Sequence, residues 1–245
     1  MAFAQASSRP IRGAVATLGV SERVAFLRRT YAHLGVALLA FAGAAGALMQ
    51  TDFSLKFSIW ALQGRWTWLA VLGMFMVVGW VAEKMARSET SQGVQYAGLA
   101  LAVGAEALLL QPLLWKAMYM FGPAGGFSTL IWQATGITLA IFVGLTATVF
   151  ISKKDFSFMR GILTVLTFAA MGVIVLSMIF GFTLGVVFIG AMILLMAGYI
   201  LYQTSAVMRD FPPTFHVAAA LMLFSTIATL FWYVLQLLMS LRGND

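Results

Sequence analysis

Glu106 is the side chain on which chemistry would turn, because it is the one ionisable group placed deep inside a long apolar stretch. On insertion scales an acidic charge at the centre of a spanning helix costs roughly 2.5–3.5 kcal/mol, and such groups mark ion or proton paths by default. Gly98, Ala102 and Glu106 recur every four residues, so the acid shares a helix face with two small residues and should point into protein. Pro112 lacks an N–H and leaves the carbonyl of Leu108 without its helical donor, which predicts a helix break shortly after the acid. Glu106 is also the candidate for touching a metal cation. The competing reading is a protonated acid bonded to a nearby carbonyl, holding helices together.

A second polar feature lies near the end of the chain. In the apolar stretch 215–241, residues Ser225, Thr229, Gln236 and Ser240 fall in one narrow arc at roughly 100° per residue, with Ala218 on the same line. Polar groups several turns long would find no partner in lipid. The stripe should therefore face protein and a cavity. Either it lines a path or it is interhelical glue, at about 0.6 kcal/mol per hydrogen bond. His33 and His216 stand at the starts of two apolar stretches, as pH sensors or as solvated interfacial side chains. Asp155, after Lys153 and Lys154, reads as a cap for the helix that follows.

Enzyme chemistry finds little support. With no cysteine there is no thiol nucleophile, disulfide or thiolate metal site. The two histidines form no His-Glu-x-x-His pair, and no Gly-x-Ser-x-Gly elbow occurs. One intramembrane acid does not make an aspartyl protease. No cofactor is expected, beyond calcium as a permeant ion.

The elements that must position these residues are membrane spans. Apolar residues make up 62% of the 245-residue chain, charged ones 9%, and mean hydropathy is +0.95. Soluble domains are about a quarter charged. The chain reads as an all-α polytopic membrane protein, with residues 1–29 an N-terminal segment and 30–245 one transmembrane domain. Spans are expected near 31–50, 66–82, 94–114 and 127–151. The uncharged stretch 161–208 is too long for one crossing at about 20 residues, so it divides at 181–183 into spans five and six. Residues 215–241 are the seventh. Its polar stripe makes it the helix around which the others pack. Two further small-residue faces are expected to pack, Gly98-Ala102 in span three and Gly136-Ala140-Gly144-Thr148 in span four. Trp60, Trp66 and Trp68 suit an interfacial belt at the start of span two.

Charge gives the orientation. Eleven of the fifteen Lys and Arg fall in the N-terminal segment and the links after spans two, four and six. The positive-inside rule then places the N-terminus in the cytoplasm and the C-terminus outside. The same rule explains the net charge of +7 without nucleic acid. From Ser21 as N-cap, 22–27 reads as a short amphipathic helix at the membrane surface.

Three motifs carry a resemblance. Glu106-Ala107-Leu108-Leu109-Leu110-Gln111-Pro112 resembles the acid-Gly-Leu-Thr-Leu-Ser-Pro pattern in span three of the Bax-inhibitor/YccA family. Lys153-Lys154-Asp155-Phe156-Ser157 is similar to that family's link between spans four and five, and Ile200-Leu201-Tyr202-Gln203-Thr204 to its Ile-Leu-Tyr-Asp-Thr in span six. The resemblance implies seven spans with the last one central. It also implies calcium leak gated by an aspartate pair that shares protons, one in span six and one in span seven. Here those positions fall on Gln203 and on Thr226, or Ser225 in the adjacent register, none of which titrates. The YccA branch, which also lacks a full pair, is associated with a membrane-bound quality-control protease. Two readings follow: a passive cation leak lined by Glu106 and the span-seven stripe but lacking the latch, or a non-transporting regulator of a membrane protease or other membrane protein. The Arg-rich, Ala- and Gly-rich usage points to a bacterial inner membrane.

Overall fold

The computed structural model describes residues 14–17, 19–122, 126–152 and 154–243. Regular structure among them is all helix: α1 (Val20–Leu48), α2 (Asp52–Leu62), α3 (Arg65–Ala86), α4 (Gln92–Phe121), α5 (Gly126–Ser152), α6 (Met159–Phe180), α7 (Val186–Arg209) and α8 (His216–Arg242), with 3-10 turns at Val15–Thr17 and Pro213–Phe215. All except α2 are long and apolar enough to cross a bilayer. Seven crossings leave the two ends of the domain on opposite faces, an N-terminal face and its opposite.

Several local features depart from expectation. Gly19, not Ser21, occupies the cap of α1, and residues 22–27 run without interruption into the first span. Nothing between Leu27 and Tyr31 breaks a helix, so the amphipathic turns and the span are one rod. The link after span one contains the short helix α2. Its start follows from Thr51, whose side chain accepts the Ser54 N–H at 3.3 Å, and from Asp52 in the first turn against the helix dipole. Trp60 belongs to α2 rather than to the entrance of the second span, and Trp115 holds α2 to α4 by donating to Ser54 Oγ at 3.0 Å.

The expected break at Pro112 does not occur. α4 runs through it to Phe121, with Gln111, Pro112 and Leu113 all buried. Proline is tolerated in a membrane helix when its surroundings hold the backbone. Here the Gln111 side-chain amide donates to Ala107 O at 2.8 Å and to Ala45 O at 3.2 Å, tying this turn to itself and to α1.

The division between spans five and six falls where it is expected. Gly181 ends α6 in the left-handed region, φ 78°, a conformation that favours glycine. Arg65 donates to the exposed carbonyls of Met178 and Ile179 at 3.2 and 3.3 Å, satisfying groups that the end of α6 leaves open.

Of the two small-residue faces, only one packs. A Cβ on Gly98 would lie 2.6 Å from Ala82 O and 2.8 Å from Ala86 N, so α3 and α4 meet at backbone contact. Gly136, Ala140, Gly144 and Thr148 are all exposed. α5 buries a different line, Leu130, Ala134, Thr138, Phe142, Thr146 and Val149, and turns its small residues outward. Larger apolar side chains on that line offer more contact area to the bundle than the glycines do.

α8 is the axis. It packs against α1, α3, α4, α5 and α7, and Leu223, Phe224, Leu230 and Leu235 are fully buried on it. Phe41 of α1 meets Phe224 edge-on, ring centroids 5.7 Å apart. α6 is the exception among the spans: it packs on α7 and α3.

Candidate functional site

Where α6 stands away from the axis, a cavity of about 460 Å³ opens between α3, α4, α6, α7 and α8. Its size falls in the range of about 300–1,000 Å³ typical of small-ligand sites. Glu106 lines it from α4, and Thr229, Trp232, Tyr233 and Gln236 line it from α8. The sequence thus places Glu106 and two members of the span-seven stripe in one space. Glu106 is partly accessible and has no hydrogen-bond or ion-pair partner among the described residues. Thr229 donates to Ser225 O at 2.8 Å, so its hydroxyl oxygen retains acceptor capacity. Trp68 stacks on Trp232, centroids 6.0 Å apart at 19°, and both line the same cavity.

Ser225 and Ser240, the outer members of the stripe, do not line the cavity. The stripe as a whole is partly accessible, whereas Phe224 beside it is wholly enclosed. On a central helix the most enclosed face is the apolar one, since it touches other helices, and the polar face meets open space.

Gln203 and Thr226 form a separate site toward the N-terminal face. Thr226 Oγ1 donates to Gln203 Oε1 at 2.8 Å, both side chains are buried, and Thr226 also reaches Met222 O at 3.2 Å. The contact selects Thr226 over Ser225 as the residue of α8 that faces Gln203. A neutral amide and a hydroxyl satisfy one another here with no proton to lose.

Comparison with known proteins shows the family. Residues 23–243 match the family described as inhibitor of apoptosis-promoting Bax1. The chain belongs to that Bax-inhibitor family. Bax inhibitor 1 of the fission yeast Schizosaccharomyces pombe is 31% identical over 238 residues, covering 94% of this chain and 82% of the yeast protein. An uncharacterized protein of Pseudomonas aeruginosa is 32% identical over 129 residues, 52% of this chain and 57% of that protein. Mouse Protein lifeguard 4 is 33% identical over 110 residues, 44% of this chain and 46% of its own length. The chain therefore spans about half the length of those last two relatives.

The link between α5 and α6 is structural in this Bax-inhibitor-family chain. Lys153 lies outside the described residues, and Lys154 is exposed. Asp155 does not cap α6, whose cap position is Phe158. Instead its Oδ1 accepts the Ser157 N–H at 2.8 Å and its Oδ2 pairs with Arg209, which also holds Asp210 at 2.9 Å. Desolvation, the largest single influence, would raise the Asp155 carboxyl, but the Ser157 hydrogen bonds and the Arg209 guanidinium together outweigh it and hold the group below the usual carboxylate range. Phe156 N–H donates to Ser205 Oγ at 3.2 Å, so two contacts bind this link to the end of α7.

The two histidines meet, which their separation in sequence gave no signal to expect. His33 and His216 have ring centroids 5.0 Å apart, and His33 Nε2 lies 3.1 Å from Tyr96 Oη. His216 is buried, contrary to the solvated reading, and its Nδ1 has no partner among the described residues. The 3-10 turn Pro213–Phe215, which leads into α8, also packs against α1.

Among the described residues no group of three His, Asp or Glu side chains gathers as a metal site. Glu106 alone offers one carboxylate to a cation, which suits transient contact rather than a resident ion of six to eight oxygen ligands.

Proposed function

We propose that the protein is a passive cation leak, with calcium its principal ion, and that it lacks a proton-operated latch. It would act in a bacterial inner membrane with its N-terminal face in the cytoplasm. The observation that carries this reading is Glu106: an acid inside a spanning helix, without a protein partner among the described residues, facing a cavity that Thr229 and Gln236 share. An uncompensated carboxyl group in a bundle is costly. A passing cation would relieve that cost, and hydroxyl and amide oxygens nearby would replace part of its water shell.

The absence of a latch rests on Gln203 and Thr226. Two adjacent carboxylates cannot both ionise easily, so one titrates near neutrality. The amide–hydroxyl pair at 2.8 Å does no such thing. Flux through this protein should accordingly show no two-carboxylate titration.

Calcium flux into vesicles at matched protein incorporation tests the reading, wild type against Glu106→Gln. The amide keeps volume and hydrogen-bonding capacity but removes the charge. Flux should fall at least about tenfold, a loss of about 1.4 kcal/mol of ion stabilisation, while folding is retained. Unchanged flux would remove Glu106 from the path. No flux in the wild type would transfer the reading to a non-transporting regulator that binds a membrane protease or another membrane protein.

A further inference from the structure

We infer that the cavity beside α8 is a binding site for amphiphilic organic monocations, an ammonium group attached to an apolar body, that enter from the bilayer between α3 and α6. This goes beyond the passage of a small inorganic ion and does not depend on it. Three observations converge on that class of ligand.

The first is the sign of charge. Among the described residues, Glu106 is the single ionisable carboxyl on the cavity wall, and no Lys, Arg or His side chain lines it. A carboxylate there has no counter-charge, and an ammonium supplies both the charge and N–H donors. An anionic ligand would meet an acid with nothing to offset it.

The second is the lining. Apart from Glu106, Thr167, Thr229, Tyr233 and Gln236, the wall is apolar, and it holds Met76, Met171, Met178, Met192 and Met196. Methionine is flexible and polarizable, so a wall rich in it accepts apolar bodies of varied shape. The Trp68–Trp232 stack adds aromatic surface that attracts cations. An alkyl or aryl group gains contact from such a wall that a small inorganic ion does not require.

The third is access. Met76 on α3 and Met171 on α6 both line the cavity and both keep exposed surface. An entrance between these helices would lead to the face that lipid covers. An amphiphile already dissolved in the bilayer would slide its apolar end past these flexible side chains and bring its ammonium to Glu106. Polar solutes would have no such route.

The experiment uses full-length protein in lipid nanodiscs and three probes of one skeleton: 4-phenylbutylamine, its neutral analogue 4-phenylbutanol and its anionic analogue 4-phenylbutanoate. Binding is read by calorimetry and by the change in emission of the Trp68–Trp232 stack, with empty nanodiscs subtracted. The amine should bind saturably at one site and at least about tenfold tighter than the alcohol, the strength expected of a charge-assisted pair. The butanoate should not bind. Glu106→Gln should bring the amine down to the affinity of the alcohol, and Met171→Trp, which narrows the entrance without touching Glu106, should slow its association. Equal affinity for amine and alcohol, or amine binding that survives Glu106→Gln, would overturn the inference, as would no saturable amine binding by the wild type. If Glu106→Gln failed to fold, the three-probe comparison on the wild type would still decide. Because binding is measured without transport, an inactive leak with tight amine binding separates this inference from the proposed function.

Discussion

The contact between Gln203 and Thr226 makes a pH-sensitive device reachable by two substitutions. Their polar atoms lie 2.8 Å apart in a buried setting on α7 and α8. Carboxylates placed there would repel one another, and the pair would lose its protons in two separated steps, one displaced upward toward neutrality. Gln203→Asp with Thr226→Asp should therefore introduce a pH dependence of flux between about pH 6 and 8 that the wild type lacks. Flux measured across that range checks it. A wild type already steep near neutrality would count against a latch-free Gln203–Thr226 pair. At this scale the sequence was informative for two spacings along single helices. Four-residue periodicity brought Glu106 to an inward face, and the 100° rule grouped Thr229 with Gln236. Apart from Gln203 and Thr226, which the family resemblance paired, it was silent on which side chains of different helices meet. The pairing of His33 with His216, or of Arg65 with the end of α6, depends on tertiary packing that no local pattern encodes.

Helices α4 and α5 carry the same small-residue pattern and use it in opposite ways. Gly98 admits the backbone of α3, whereas nothing lies within 4 Å of a Cβ on Gly136 or Gly144. Alanine in place of Gly98 would force α3 and α4 apart and should lose about 1–3 kcal/mol, the usual cost of overpacking. The same change at Gly136 should gain up to about 1 kcal/mol from helix propensity alone. Thermal unfolding of the two variants in one detergent is the check, and equal effects would contradict the packing assigned here. A pattern of glycines states that close approach is allowed; which face is used depends on what the other side of the helix offers. Pro112 teaches the same lesson, since a residue that ends isolated helices is carried through by burial and by the Gln111 bridges. The α5–α6 link adds a pH dependence with a definite sign. Because Asp155 is held below its ordinary range, its contribution is fully present above the unfolded-state pKa of about 3.9 and is lost as pH falls through the lower folded value. Asp155→Asn should be less stable than wild type at pH 6, and the gap should close in acid as pH falls through the folded-state pKa of Asp155. A gap that widened in acid would mean that the pair with Arg209 contributes nothing.

For the whole molecule, composition and run length were enough to read seven spans, and their limits fell within a few residues of the observed helices except where α1 and α4 extend beyond the bilayer-length core of about 20 residues. The centrality of α8 was legible for an indirect reason. Its polar stripe could not face lipid, so the helix had to lie inside, although the stripe proved to be its more open side and Phe224 its most enclosed. Short helices such as α2 escape a search by hydropathy, because it is tuned to crossings; the cap Thr51 and the acid Asp52 are the signals that find it. Orientation follows from charge rather than packing, and it can be tested on the intact chain. The cysteine-free sequence allows single cysteines to be introduced without background. Ser91 and Lys154 are exposed on the N-terminal face, and Gln63 and Thr183 are exposed on the opposite one. With most of the Lys and Arg on the N-terminal face, that face should lie in the cytoplasm. A membrane-impermeant thiol reagent added to intact cells should then modify cysteines at Gln63 and Thr183 and spare those at Ser91 and Lys154 until the membrane is opened. The reverse pattern would invert the molecule. A mixed pattern, with Gln63 and Thr183 on different sides, would mean that one of the helices between them does not cross.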